Sequence, residues 1–292
     1  MRTLLPRVPI CPVGGQITRR GHRSSDARYG RRGVIRAAGV AAADIGRVWL
    51  IGAGNMGGAL AGRWRGAGFD PVVVDPRLEA PLPATGTPDT LILAVKPQVW
   101  RAVTADLIDR VAPDTLVVSV MAGVTLAALT ERFPGATVAR AMPNTPAARG
   151  HAITGLLAPA ADAGERARLE RLFAAAGTTV WLDDEADFDA LTAVSGSGPA
   201  YVFAFVEALA AAGETAGLTP ALAARLATAT LVGAAALLGD EADPAALRAA
   251  VTSPNGTTAA GLATLIPGLD PLLRATVAAA AARSRAMAAS FT

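Results

Sequence analysis

Cysteine is almost missing from this chain: its 292 residues hold one, Cys11. A lone thiol excludes a disulfide framework and a thiolate metal site, and it fits a reducing, cytoplasmic setting. Histidine is nearly as scarce, with His22 near the start and His151 alone in the rest. That scarcity removes most metal-centred and imidazole-based mechanisms, and no metal site is expected. Runs of eighteen or more uninterrupted apolar residues are absent as well. The nearest, Leu226 to Leu238, is rich in Ala, Thr and Gly and follows Arg225, so it reads as a buried helix in a soluble protein rather than a membrane span. Lysine is the most telling shortage. Of 27 basic residues 26 are Arg, and the one Lys is Lys96. Its survival points either to a place that needs a compact ammonium rather than a planar fork or to chance.

The formal charge of +3 is unevenly placed. Residues 1–43 carry nine Arg and a single acid, Asp26, which leaves 18 basic against 23 acidic residues in the remainder. The body is therefore acidic and has no basic surplus with which to bind nucleic acid. The tail, residues 1–45, is Arg-, Gly- and Pro-rich with little apolar periodicity, and reads as a disordered extension. An over-long start to the frame, or a transit peptide that is Arg- and Ser-rich and acid-poor, fits the same composition.

What is present divides the body in two. Short β-rich runs at residues 47–51, 71–75, 90–95, 115–120 and 137–141 alternate with helical patterns at 58–66, 98–111 and 125–133. Weaker strands at 152–158 and 179–182 flank a charged helix at 163–176. Such alternation implies βαβ units and a mostly parallel, Rossmann-type sheet with helices on both faces, over residues 46–184. From Glu185 the strands stop and Ala/Leu-rich helices take over, at 198–216, 220–238, 244–251, 258–265 and 271–289. Helices so rich in Ala bury little area each, so this all-α domain, 185–292, is expected to pack against a second copy as a dimer.

The first strand runs into Gly52-Ala-Gly54-Asn-Met-Gly57, which opens a helix, and Asp75 ends the next strand 21 residues after Gly54. Strand, glycines, helix and acid in that register make a dinucleotide site: the glycines admit the pyrophosphate to the helix N-terminus and the acid reaches the ribose. Lys96 ends another strand, at the crevice mouth where open α/β sheets bind ligands. There it serves a phosphate or the nicotinamide, or else caps a strand at the surface. An acid at Asp75 favours the free 2′-hydroxyl of NADH, whereas Arg77 favours the 2′-phosphate of NADPH. The stretch from Asp75 to Leu91 is short and Pro-rich, with little room for a crossover helix. In the helical half, Ser195-Gly-Ser-Gly-Pro-Ala200 and Thr252-Ser-Pro-Asn-Gly-Thr-Thr258 each precede a helix and offer N–H groups and hydroxyls that suit a carboxylate, or act simply as caps.

Five motifs in order make the body from Val48 to about Met287 resemble the pyrroline-5-carboxylate reductase family: Gly52-Ala-Gly-Asn-Met56, Ala94-Val-Lys-Pro-Gln98, Arg140-Ala-Met-Pro-Asn-Thr-Pro146, Ser195-Gly-Ser-Gly-Pro-Ala-Tyr201 and Val251-Thr-Ser-Pro-Asn-Gly-Thr-Thr258. The resemblance implies reduction of 1-pyrroline-5-carboxylate to L-proline with NADPH, NADH remaining possible. It implies a dinucleotide held by Ile51, Gly52, Ala53, Gly54, Asn55 and Met56, by Ala94, Val95, Lys96 and Pro97, and by the turn of Met121 and Ala122. It further implies that Ser253, Gly256, Thr257 and Thr258 take the substrate carboxylate, that the Thr258 hydroxyl faces the ring nitrogen, and that Ser195, Glu185 and Glu241 lie near the substrate. Catalytic roles fall to Thr258 and Lys96. The helical domain is expected to interlock two subunits, with decamers possible. Three departures stand out: Asn255 where the family usually has Gly, a position Asn tolerates because it enters the left-handed region readily, Ala250 in place of a polar residue, and the shortened segment after Asp75, at the adenine end of the pocket.

The chemistry agrees independently. A ketone needs a proton donor for its forming alkoxide, whereas a cyclic imine arrives already protonated, and the helical half has neither His nor Lys. A β-hydroxyacid dehydrogenase shares the two-domain layout but requires a Lys on the helix after Pro199, which is missing. A non-catalytic nucleotide sensor on the same scaffold is the alternative outside enzymes.

Overall fold

A computed structural model describes residues 45–239 and 243–289. The tail before Ile45 and Glu241 lie outside the described residues. Seven strands form one sheet: β1 (Val48–Ile51), β2 (Val72–Val74), β3 (Thr90–Leu93), β4 (Leu116–Ser119), β5 (Thr137–Met142), β6 (Ala152–Leu157) and β7 (Gly177–Trp181), in the order β2-β1-β3-β4-β5-β6-β7. Every pairing is parallel except β5 with β6. The order reverses between β1 and β3, so the crevice of the sheet opens beyond their C-terminal ends.

Continuous burial of β1, β3 and β4 requires both faces to be covered, and the side chains divide accordingly. Leu50, Ile92 and Val118 join Leu60, Trp64, Leu172 and Phe173 in one core. Trp49, Leu91, Leu93 and Val117 join Leu129 and Phe133 in the other. The first core is clamped by helices α1 (Asn55–Gly66) and α4 (Ala163–Ala174), where the buried Trp64 indole donates to the Leu172 carbonyl at 2.7 Å. The second is covered by α2 (Trp100–Val103) and α3 (Leu126–Arg132).

Asp75 to Thr90 carries no α-helix, as the short Pro-rich stretch led one to expect; a single 3-10 turn, Pro76–Leu78, stands there instead. The helix expected at 98–111 is broken into α2 and two 3-10 segments, Pro97–Val99 and Ala105–Arg110. Thr104 lies at this break, its hydroxyl bonded back to the Trp100 carbonyl at 2.8 Å.

After β7 the described chain is helical: α5 (Asp187–Leu191), a π-turn (Thr192–Gly196), α6 (Gly198–Thr215), α7 (Pro220–Leu238), α8 (Pro244–Ala250) and α9 (Thr257–Ala288). Residues 258–289, read above as two helices, form one of 32 residues with Pro267 and Pro271 inside it. Each Pro removes one intrahelical bond, and the apolar pattern on either side carries the helix through. Of α6 to α9 only Ala223, Ala227 and Ala281 are buried, while Phe203, Val232, Leu237 and Leu272 are 63–66% exposed. By length and hydropathy alone the stretches 187–215, 220–238 and 257–288 would suffice to cross a membrane.

Candidate active site

The loop after β1 is built by contacts that only glycine allows. Gly52 has φ +94°, and a Cβ on it would stand 2.8 Å from both the Ala94 carbonyl and Val95 Cγ1. A Cβ on Gly57 would meet the Gly52 carbonyl at 2.0 Å. The loop after β1 therefore lies directly on the loop after β3, across the switch point. Gly54 differs: it caps α1, and a Cβ there would meet only Arg77 Nη2, at 3.8 Å. No side chain caps this helix start, so its first N–H groups face an open cradle. A pyrophosphate fits such a cradle, both in charge and in the room above Gly54. Ile51, Ala53, Asn55 and Met56 belong to the same turn, and Ala94 to Pro97 form its opposite wall. The Met121–Ala122 turn follows β4 next door; Met121 is buried, with its N–H bonded to Ser119 Oγ at 3.2 Å.

Lys96 sits at the C-terminal end of β3, exposed, before the 3-10 turn that starts at Pro97. Its place at the mouth matches the sequence reading. Asp75 does not. Expected as a ribose contact, its carboxylate is buried and fully engaged within the chain. Oδ2 accepts from the Ala53 N–H at 2.7 Å and Arg77 Nη2 at 2.6 Å; Oδ1 accepts from the Arg77 N–H at 2.9 Å and Nε at 3.0 Å. The guanidinium fork holds this carboxyl well below the usual carboxylate range, outweighing the burial that works against ionisation. The physical reason for the correction lies in the missing crossover helix: the chain turns back at once, and residue 77 falls on its own acid.

The Ser195 run leads into α6 with Pro199 in its first turn, as expected, but its N–H groups are not free: Ser195 and Gly196 belong to the π-turn between α5 and α6, and the Ser197 N–H is spent on the Thr192 carbonyl at 2.8 Å. Helical residues on both sides draw the run into one continuous element, and the extra residue of the π-turn is what that continuity leaves over. Ser195 Oγ donates to the Leu191 carbonyl at 3.0 Å.

Two residues without an assigned role in the sequence reading hold this region to the sheet. Buried Asn144 donates to the Ser195 carbonyl at 3.1 Å and accepts from the Ile153 N–H at 3.1 Å. Arg140, on β5, donates from Nη1 to Glu185 Oε1 at 2.8 Å and stacks 4.1 Å over the Phe188 ring. Glu185 Oε1 also accepts the Leu126 N–H at 2.8 Å, satisfying the first turn of α3. Glu185 thus joins sheet, α3 and helical half, a structural engagement the motif match did not foresee. The available signals were Arg140 inside the largely apolar strand β5 and Asn144 just past its end.

At the other candidate pocket, Asn255 takes φ +59°, the left-handed conformation expected of it. Gly256 caps α9, and a Cβ on it would meet Ser253 Oγ at 2.3 Å, so a larger residue there would have to turn that hydroxyl aside. Thr257 and Thr258 begin α9, whose N-terminus has no side-chain cap. Ser253, Thr257 and Thr258 are exposed in the single chain. An open groove of 440 Å³ runs beside them, between α8 and α9, lined by Arg248, Thr252, Ala259 and Leu262 among others. Among the described residues no cluster of three or more His, Cys, Asp or Glu is placed to hold a metal.

Comparison with known proteins bears on both halves. A family profile for pyrroline-5-carboxylate reductase dimerisation matches residues 185–287. The pyrroline-5-carboxylate reductase of Pseudomonas aeruginosa is 39% identical over 265 residues, covering 83% of this chain and 97% of the relative. The solved pyrroline-5-carboxylate reductase of Coxiella burnetii superposes with a TM-score of 0.76 at 31% identity, over 83% of this chain and 98% of its own. That of Plasmodium falciparum, solved with NADP bound, gives a TM-score of 0.71 at 26% identity, over 84% and 99%.

Proposed function

This chain belongs to the pyrroline-5-carboxylate reductase family, and from that membership we propose how its own residues divide the work. It is an NAD(P)H-dependent oxidoreductase acting on a C=N bond, and it converts 1-pyrroline-5-carboxylate to L-proline. Residues 46–184 form the dinucleotide domain and 185–292 the dimerisation and substrate domain. The turn from Ile51 to Met56, the segment from Ala94 to Pro97 and the Met121–Ala122 turn hold the dinucleotide, with Lys96 at the mouth for its phosphate or nicotinamide end. When bound, the reduced nicotinamide supplies a hydride to C5 of the ring.

The observation that carries the substrate assignment is the uncapped start of the 32-residue α9, reached through the left-handed Asn255 and the tightly closed Gly256. Its free N–H groups and positive dipole end suit one carboxylate. Ser253, Gly256 and Thr257 take that carboxylate, and the Thr258 hydroxyl bonds the ring nitrogen. The Ser195 turn stands near the same substrate. As the carbon receives its hydride, the C=N pair returns to an already protonated nitrogen and the cation is discharged, so no strong acid is needed from the protein. The exposed loop becomes an enclosed site when a second copy covers it, which is why dimerisation and activity go together. Higher assembly, to a decamer, and a cytoplasmic location complete the reading; the apolar helices are covered by protein rather than lipid.

The test is direct. Purified protein with NADPH and pyrroline-5-carboxylate loses nicotinamide absorbance and forms proline, and Thr258→Ala, which removes the hydroxyl oxygen that accepts the ring N–H, lowers turnover about 10²-fold, the usual worth of one positioned group. A wild-type rate in that variant removes Thr258 from the mechanism. Turnover of a keto acid but not the imine overturns the function.

A further inference from the structure

We infer that Arg77, fixed in place by Asp75, selects the phosphorylated dinucleotide by binding its 2′-phosphate, and that Asp75 is a positioning residue which never touches the ribose. This rests on the reading of the Gly52–Gly57 turn as the dinucleotide site and adds the identity of the cofactor's distinguishing group.

The acid is the first half of the argument. A carboxylate offers about four lone-pair sites, and all four directions of Asp75 are taken: by the Ala53 N–H, the Arg77 N–H, Arg77 Nε and Arg77 Nη2. Its side chain is 4% exposed. A ribose 2′-hydroxyl has no acceptor left there, so the feature that ordinarily favours the unphosphorylated cofactor is out of use. The buried carboxylate instead ties the glycine turn to the strand end.

The arginine is the second half. Its fork spends two of five guanidinium N–H donors on Asp75, and the side chain as a whole is 69% exposed. The nearest atom to an added Cβ on Gly54 is Arg77 Nη2, at 3.8 Å, so the guanidinium borders the open cradle itself. The turn is closed by paired bonds between Asp75 and Ala80, at 3.0 and 3.3 Å, which fixes the backbone that carries Arg77. Asp75 thereby fixes the side chain at one edge while the opposite edge keeps donors for a phosphate, and an arginine restrained in this way loses less entropy on binding. The Asp75–Arg77 pair is neutral, so a dianion meets no net repulsion from it.

Calorimetric titration of the intact protein with adenosine 2′,5′-bisphosphate and with adenosine 5′-monophosphate reads the site without any turnover. The bisphosphate is expected to bind about 10- to 100-fold more tightly, the range for charge-assisted bonds to one phosphate. Arg77→Gln should bring the two affinities together, chiefly by weakening that for the bisphosphate, and Arg77→Lys should recover part of the difference. A melting curve matching the wild type checks that each variant is folded. Equal affinities in the wild type, or an undiminished preference in Arg77→Gln, overturn the inference. Because the titration involves no imine, either result leaves the reductase reading standing. Failure of NADPH oxidation with pyrroline-5-carboxylate leaves the titration equally unaffected.

Discussion

The side-chain amide of Asn144 joins the strand region to the π-turn: Nδ2 donates to the Ser195 carbonyl and Oδ1 accepts the Ile153 N–H, each at 3.1 Å. A π-turn leaves its backbone groups poorly matched along the helix, so an outside donor at Ser195 holds a shape the helix alone would not keep. The Arg140–Glu185 ion pair, with Phe188 beneath the guanidinium, forms a second tie a few residues away. Together they fix the start of the helical half against the C-terminal edge of β5.

Asn144→Ala removes both bonds from a buried position. It should destabilise the protein by about 1–3 kcal/mol, the cost of leaving a buried partner unsatisfied, as measured by urea denaturation. Asn144→Asp keeps the acceptor for Ile153 but sets a carboxylate against the Ser195 carbonyl. Its turnover should therefore fall further than its stability. Equal stability of wild type and Asn144→Ala would show that the π-turn holds itself.

Gly54 and Gly57 separate a folding requirement from a binding one. Ala at 57 places a methyl 2.0 Å from the Gly52 carbonyl, and overpacking of that kind costs about 1–3 kcal/mol or more. Gly57→Ala should lower the melting temperature clearly. Gly54 has φ −67°, which any residue adopts, and its Cβ would meet only Arg77 at 3.8 Å. Gly54→Ala should cost at most about 1 kcal/mol as a weaker cap. It should nevertheless weaken nucleotide binding about 10-fold or more, since the methyl occupies the approach to the pyrophosphate. Undiminished binding in Gly54→Ala would move the pyrophosphate elsewhere.

Much of this was legible in the sequence, and the losses have identifiable causes. Strands β1, β3 and β4 were visible because continuous apolar runs bounded by Gly, Pro and Asp have few other uses. The glycine turn was visible because three glycines, a strand and a helix occur in fixed register. Asn255 was placed in the left-handed region because it stands where the family usually has Gly and Asn tolerates that conformation. The fate of Asp75 was hidden because a carboxylate at a strand end looks identical whether it faces a ligand or its neighbour's guanidinium. The π-turn was hidden because Gly and Pro in the Ser195 run read as a boundary, whereas helix continuity on both sides absorbed them. The unbroken α9 defeated the ordinary rule for Pro267 and Pro271, since long flanking helical segments outweigh two lost bonds.

Asp75 also gives the protein a predictable acid response. Its folded-state carboxyl titrates below the unfolded value because of the Arg77 fork. The stability it contributes is fully present above the unfolded value of about pH 4 and is lost as pH falls from there toward the folded one. The melting temperature of Asp75→Asn should therefore lie below the wild type by a constant margin from neutral pH down to about pH 5, and the gap should close below about pH 4. A gap that stays constant into acid would mean the carboxylate charge contributes nothing.

The exposed helices make the last prediction. α6 to α9 leave Phe203 63%, Val232 64% and Leu272 64% exposed, and apolar area left in water is unfavourable by about 25 cal/mol per Å². The family profile over residues 185–287 is one of dimerisation, so a second copy is expected to cover them. Phe203→Asp puts a charge where an apolar ring is to be buried, and burying an unpaired charge costs several kcal/mol. In sedimentation velocity the wild type should run as a dimer or larger and the variant should shift toward monomer, losing turnover with it. Wild-type protein should also stay in solution when spun with neutral lipid vesicles. Pelleting with the vesicles, together with an unchanged sedimentation profile for Phe203→Asp, would assign these helices to lipid and remove the subunit cover from the Ser253–Thr258 loop.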